Sequence, residues 1–166
     1  MSYFIIIRGP LGIGKTTISD KLAKRLKGVH ISMDKILEEY GLDKVSQKEE
    51  TIPLRNFLKA NKLILPVAKE HLKKGTIVIF DGNFQHKEQL VGLVEKIHYP
   101  HYAFNLKASV ETCIARDKGR KRSYGEDAAR WLHTLVSRYE YGINIDVEKK
   151  TPDKAVKEIL AHLPHR

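Results

Sequence analysis

Gly9-Pro10-Leu11-Gly12-Ile13-Gly14-Lys15-Thr16 follows an apolar run, Tyr3 to Arg8, and opens a run in which Ile18, Leu22, Ala23 and Leu26 share one helical face. The stretch fits G-x-x-x-x-G-K-[ST], and strand, glycine-rich turn and helix stand in the order that pattern requires. Glycines permit backbone conformations in which successive N–H groups point inward, and the helix that follows adds the positive end of its dipole. Phosphate oxygens brought to Gly9, Gly12, Ile13 and Gly14 would meet donors instead of carbonyls. Lys15 would reach the β and γ phosphates of ATP as a mobile charge. The Thr16 hydroxyl would complete the coordination of Mg²⁺, and Thr17 would add a contact to the α phosphate.

Around this loop lies material for one domain spanning 1–166: 166 residues, 42% of them hydrophobic, enough to bury a core. Lys and Arg number 30 against 20 Asp and Glu, a net charge of +10. That balance favours polyanions such as ATP or nucleic acid as partners, and equally suits a solvated Lys-rich surface. A single cysteine, Cys113, excludes an internal disulfide and a cysteine-based zinc site. The eight histidines are scattered without metal-ligand spacing. The apolar run at Tyr3 is too short for a membrane span and lacks the basic region of a signal peptide, so no membrane association and a cytoplasmic location are expected.

Five short apolar runs predict strands: Tyr3 to Arg8, Val29 to Ser32, Thr76 to Phe80, His101 to Leu106 and Ile143 to Asp146. Runs that are apolar throughout suit strands covered on both faces, hence a parallel sheet with crossover helices in an α/β fold. Helical spacing fills the intervals. One helix runs from the phosphate loop to about Lys27-Gly28, and another from about Pro53 to Lys74, kinked or split at Pro66. Others run from Lys87 to Ile97, Ser109 to Arg116, Glu126 to Tyr141, and Pro152 to Leu163 with Thr151 as N-cap. Cys113, and Trp131 with Leu132 and Leu135, read as core packing.

The guanine-selecting Asn-Lys-x-Asp pattern of switch GTPases is missing, since Asn61-Lys62 is followed by Leu63-Ile64. Motor ATPases need a larger chain. The sequence resembles instead the nucleoside-monophosphate-kinase-like group of P-loop kinases. This group includes adenylate, shikimate and gluconate kinases, polynucleotide 5′-hydroxyl kinase domains and small kinases of the AAA_33 type. The resemblance spans essentially the whole chain. It rests on the phosphate loop, Asp34 after the second strand, Asp81-Gly82-Asn83-Phe84 after the third, and Arg116-Asp117-Lys118-Gly119-Arg120-Lys121-Arg122 after the fourth. It implies a three-layer α/β/α fold with a five-stranded parallel sheet in the order 2-3-1-4-5, a short lid at about 117–127, and an acceptor region after the second strand.

Within that frame Asp34 would accept the acceptor's hydroxyl proton, or serve as N-cap for a helix from Lys35 to Tyr40. Asp81 would hold Mg²⁺ in Walker-B fashion, or merely end a strand in an Asp-Gly turn. Asn83 and Arg55 would line the acceptor site. Arg116 and Arg120, four apart, would share a helical face over the γ phosphate, with Arg122 in reserve, unless the basic run is simply a solvated helix end. Nucleoside monophosphate kinases of the group carry Asp-Gly-[Phe/Tyr]-Pro-Arg where this chain has Asp81-Gly82-Asn83-Phe84-Gln85. Loss of that Arg favours a hydroxyl acceptor, either a small metabolite or a nucleic-acid 5′ end. A nucleoside monophosphate kinase, or an ATP-binding module acting as a slow ATPase or RNA-binding regulator, remains the alternative.

Overall fold

The computed structural model describes residues 1–121 and 123–165; Arg122 lies outside them. A five-stranded sheet has the order β2-β3-β1-β4-β5, with β1 Phe4–Arg8, β2 Val29–Ser32, β3 Val78–Gly82, β4 His101–Lys107 and β5 Ile143–Asp146. All four pairings are parallel. Helices fill every crossover: α1 Lys15–Leu26, α2 Met33–Glu39, α3 Leu54–Lys73, α4 Lys87–Ile97, α5 Val110–Lys118 and α6 Glu126–Val136, with α7 Pro152–Ala161 after the last strand.

The period-two alternation of β1 divides the core. Ile5 and Ile7 point toward α1 and α7, packing with Ile18, Leu22, Val156 and Ile159. Phe4 and Ile6 point the other way, toward Leu37, Phe57, Leu72 and Leu90 of α2, α3 and α4. Both faces of the central strands are therefore dry, the condition that makes a parallel sheet read as unbroken apolar runs.

Four expectations need correction. The third strand lies two residues later than its apolar run, so Asp81 sits inside β3 and pairs in register with Ile7 of β1 and Ser32 of β2. Strand β5 lies at the sheet edge with only Ile145 of its four residues buried, so apolar-throughout is wrong for it. Helix α3 is one 20-residue helix that carries Pro66 inside it and is not split. Helix α6 stops at Val136, five residues before Tyr141, because Arg8 takes up its terminal carbonyl. Among the described residues no helix is long and apolar enough to cross a membrane.

Candidate active site

The phosphate loop spans the gap between the carboxyl end of β1 and the start of α1. Gly12 and Gly14 have φ of +84° and +99°, the left-handed region in which a side chain is strained. At Gly12 a Cβ would also stand 2.2 Å from the Cys113 carbonyl oxygen, so the loop is braced directly on the backbone of α5. Lys15 is buried, and its Nζ donates to Pro10 O at 3.1 Å. The ammonium thus folds back over the loop's own concavity. Thr16 and Thr17 are exposed at the first turn of α1.

Beneath the loop, Arg8 is 1% exposed. Its guanidinium donates to Phe84 O at 3.2 Å, Asn105 Oδ1 at 3.0 Å, Tyr139 O at 3.0 Å and Val136 O at 2.5 Å, with the Tyr139 ring 3.8 Å away. Burial lowers its pKa, while Tyr139 and Glu140 raise it in partial compensation. A buried cation is tolerable when its donors are satisfied. Here the satisfied fork ties β1, β4, the segment after β3 and the end of α6 together just before the loop begins.

On the neighbouring strands, Ser32 caps α2 by accepting the Lys35 N–H at 3.4 Å. Asp34 is therefore not the N-cap, and its carboxylate is free for another task. It keeps an exposed surface, yet surrounding protein displaces much of its hydration. That desolvation pushes its pKa up; Lys15 pulls it down, Asp81 pushes it up further, and Arg120 pulls it down. Asp81 is fully buried. Its Oδ2 is hydrogen-bonded to His30 Nε2, and its Oδ1 is buried without a protein partner. His30 Nδ1 meets Asp20 Oδ1 of α1 at 2.6 Å. Burial alone would lower the His30 pKa; Asp81 and Asp20 outweigh it and hold the imidazole above its ordinary value.

The two arginines expected over the γ phosphate separate. Helix α5 ends at Lys118, so Arg116 and Arg120 do not share a continuing helical face. Arg116 donates to Ile13 O at 3.3 Å and Val147 O at 3.0 Å. It lines a pocket of about 140 Å³ with Gly14, Thr17, Lys150 and Thr151. Arg120 lies beyond the helix, 3.9 Å from Asp117, with its guanidinium 5.8 Å from the Tyr124 ring centre. Between α5 and α6 the described residues are tied to buried Asp117, whose carboxylate accepts from Ser123 Oγ at 2.9 Å and from the N–H groups of Tyr124 and Gly125 at 3.1 Å each. Asn83, just past β3, has a buried Oδ1 without a protein partner. Arg55 is largely exposed and 3.6 Å from Glu49. Trp131 is not a core residue: half-buried, it donates from Nε1 to Glu50 O at 2.9 Å, linking α6 to the segment between α2 and α3.

The AAA domain family model AAA_33 matches residues 4–140. The chain belongs to this family. It is 30% identical over 158 residues to the "Putative adenylate kinase" of Pyrococcus furiosus, covering 94% of this chain and 81% of that one. It is 26% identical over 175 residues to the deoxyguanosine kinase of Bacillus subtilis, covering 92% and 84%. A sugar kinase from Janibacter sp. HTCC2649 shares the fold with a TM-score of 0.78 at 13% identity, over 97% of this chain and 94% of that chain. The AAA_33 chain is a kinase of the P-loop type.

Several residues around the candidate site of this AAA_33 kinase carry little signal in the sequence. His30 looks like one more scattered histidine; the signal was a polar residue inside a short apolar strand. Asp117 is the lone acid in a basic run, and Arg8 is the cation that closes a buried strand. Asp20 and the pocket at Lys150-Thr151 carry no such signal, because only the packing of α1 and α7 brings them to the site. The donor set fits a Mg²⁺ ion: the one free, buried carboxylate oxygen of Asp81 and the exposed hydroxyl of Thr16, with nucleotide phosphates and water completing the shell, as this ion prefers.

Proposed function

We propose that this kinase moves the γ-phosphate of ATP to an acceptor hydroxyl. The observation that carries the reading is Asp34: Ser32 relieves it of capping α2, and it stands in the fields of Lys15, Asp81 and Arg120. A carboxylate with a raised pKa, within the electrostatic reach of the phosphate loop, is suited to accept a hydroxyl proton as the oxygen attacks phosphorus. It would repel an acceptor phosphate. Gln85 supplies no countercharge, its Nε2 being engaged by Thr51 Oγ1 at 2.6 Å.

In the proposed reaction the amides from Gly9 to Gly14 and the start of α1 hold the phosphates. The Lys15 ammonium leaves Pro10 O to follow the charge shared by the β and γ phosphates. Mg²⁺, held by Thr16 and Asp81, would neutralise charge between those phosphates. The nucleotide base would enter the pocket beside Arg116, whose guanidinium would cover its face. Arg120, within the expected lid at about 117–127, would approach the transferring group as the lid closes and excludes water. Asn83 and Arg55 belong to the acceptor side; Asn83 Oδ1, buried without a protein partner, would accept a hydrogen bond from the acceptor hydroxyl.

A nucleoside monophosphate as acceptor is the second reading, favoured by the name of the Pyrococcus relative. Incubation with γ-labelled ATP and separate pools of nucleosides, nucleoside monophosphates, sugar-like metabolites and nucleic-acid 5′ ends decides between them. Label on a hydroxyl-bearing acceptor supports the proposal. Label on a monophosphate replaces it with the second reading, and label released only as inorganic phosphate would mean an ATPase module without a true acceptor.

A further inference from the structure

Asp81 lies on the side of β3 that faces α1: Ile79, two residues earlier on the same strand, packs into the α1 core, while Phe80 packs into the opposite one. His30, paired in register with Ile79, lies on that side as well. Its two ring nitrogens are both engaged, Nδ1 by Asp20 of α1 and Nε2 by Oδ2 of Asp81. One oxygen of Asp81 is thereby occupied, and only Oδ1, buried and without a protein partner, is left to serve anything bound at the start of α1.

We propose that His30 is a positioning residue, held by Asp20, that fixes the Asp81 carboxylate so that Oδ1 alone is presented to the divalent cation of the nucleotide complex. The proposal rests on the reading of Asp81 as the cation-side carboxylate and goes beyond it by assigning His30 and Asp20 their roles. A carboxylate on a strand end has three staggered wells at χ1 and a broad torsion of its carboxylate plane. Imidazole removes that freedom without itself touching the ion, because it spends a rigid ring and a directed N–H on the oxygen that is not needed. Asp20 sets the ring by accepting at the opposite nitrogen, as outer partners of ligand groups do elsewhere. Helix α1, which begins at Lys15 and Thr16, carries Asp20 one turn further on. The residues that meet phosphate and the residue that holds the His30 ring are thus set by one rigid element.

The test is binding, read apart from turnover. Mn²⁺ is titrated against the ADP complex and followed by its electron paramagnetic resonance signal, and ADP affinity without metal is measured by calorimetry on the same samples. His30→Ala is expected to weaken Mn²⁺ binding by about tenfold while leaving metal-free ADP affinity within about twofold. His30→Gln, which can still offer an N–H to Asp81, should recover part of the loss, and Asp20→Ala should fall between wild type and His30→Ala. Unchanged Mn²⁺ binding in His30→Ala would overturn the proposal while leaving the kinase reading intact. Equal loss of metal-free ADP binding would assign His30 a purely structural role and overturn it too. Wild-type protein whose ADP affinity and Mn²⁺ signal show no coupling would sink both this proposal and the assignment of Asp81.

Discussion

Arg116 Nη2 donates to the carbonyl oxygen of Val147 at 3.0 Å, joining the last turns of α5 to the segment that follows β5. The same guanidinium reaches Ile13 O in the phosphate loop, and Arg116 lines the pocket formed with Lys150 and Thr151. A planar cation over an aromatic base contributes roughly 1–2 kcal/mol when desolvated. Arg116→Ala is therefore expected to raise the ATP dissociation constant about tenfold, with a smaller effect on kcat, by calorimetry and steady-state kinetics. A fall in kcat at constant affinity would instead return Arg116 to the γ phosphate.

Arg120 should behave in the opposite way. It lies outside the helix, on the segment knotted by Asp117, and its ion pair with Asp117 is long at 3.9 Å, so little holds it in place before closure. Arg120→Ala is expected to lower kcat by about a hundredfold with ATP affinity almost unchanged, and equal losses in both would mark it as a ground-state contact.

Asp34 should show a conflict between stability and activity. Its folded pKa is raised above the ordinary aspartate value of 3.8, so the folded state holds the proton more tightly than the unfolded one. Below the ordinary value the group makes no demand; as pH rises through the raised folded value, ionisation costs stability. At neutral pH Asp34→Asn is thus expected to raise Tm while lowering kcat by about a hundredfold or more. The wild-type kcat should also fall on the acid side at a pH above the usual carboxylate range. A variant that turns over normally would remove Asp34 as base.

Asp117 is 1% exposed and gathers three donors from the lid. Asp117→Ala leaves those donors to water and should loosen the segment proposed to exclude water from the phosphates. The expected result is a several-fold rise in the ratio of ATP hydrolysed to acceptor phosphorylated, measured by phosphate release against product formation. An unchanged ratio would show that the lid's order does not guard the reaction.

Gly12 faces two obstacles at once, a φ of +84° and a Cys113 carbonyl oxygen 2.2 Å from where a Cβ would stand. Gly12→Ala is expected to cost about 2 kcal/mol through backbone strain, or roughly 5 °C in Tm for a chain of this length, and to weaken ATP binding. Gly14, equally left-handed but with open space around it, should lose less on the same substitution. Similar losses at both positions would show that conformation, not the contact with α5, dominates.

The glycine-rich turn between β1 and α1 and the parallel sheet were legible in the chain because each depends on neighbours in sequence. Glycine spacing sets the loop, and alternation along β1 sets two buried faces. Turn and cap residues mark the helix ends at Ser109 and Thr151. Where the reading slipped, a distant contact decided the matter. The end of α6 is set by Arg8 from the first strand, and Asp34 is freed by a hydroxyl whose capping role competes with its own. Trp131 was drawn from the core by a carbonyl 81 residues away.

Sequence alone determined that a backbone cradle for phosphate exists here, since eight consecutive residues carry all the conformational freedom and charge it needs. Only the tertiary structure decided how the cradle is furnished. It set Asp20 and His30 behind Asp81, Arg8 beneath the loop and Arg116 at its outer side. Those partners come from five different strands and helices, and their distances are fixed by how the sheet and its helices pack, a quantity that no local pattern encodes.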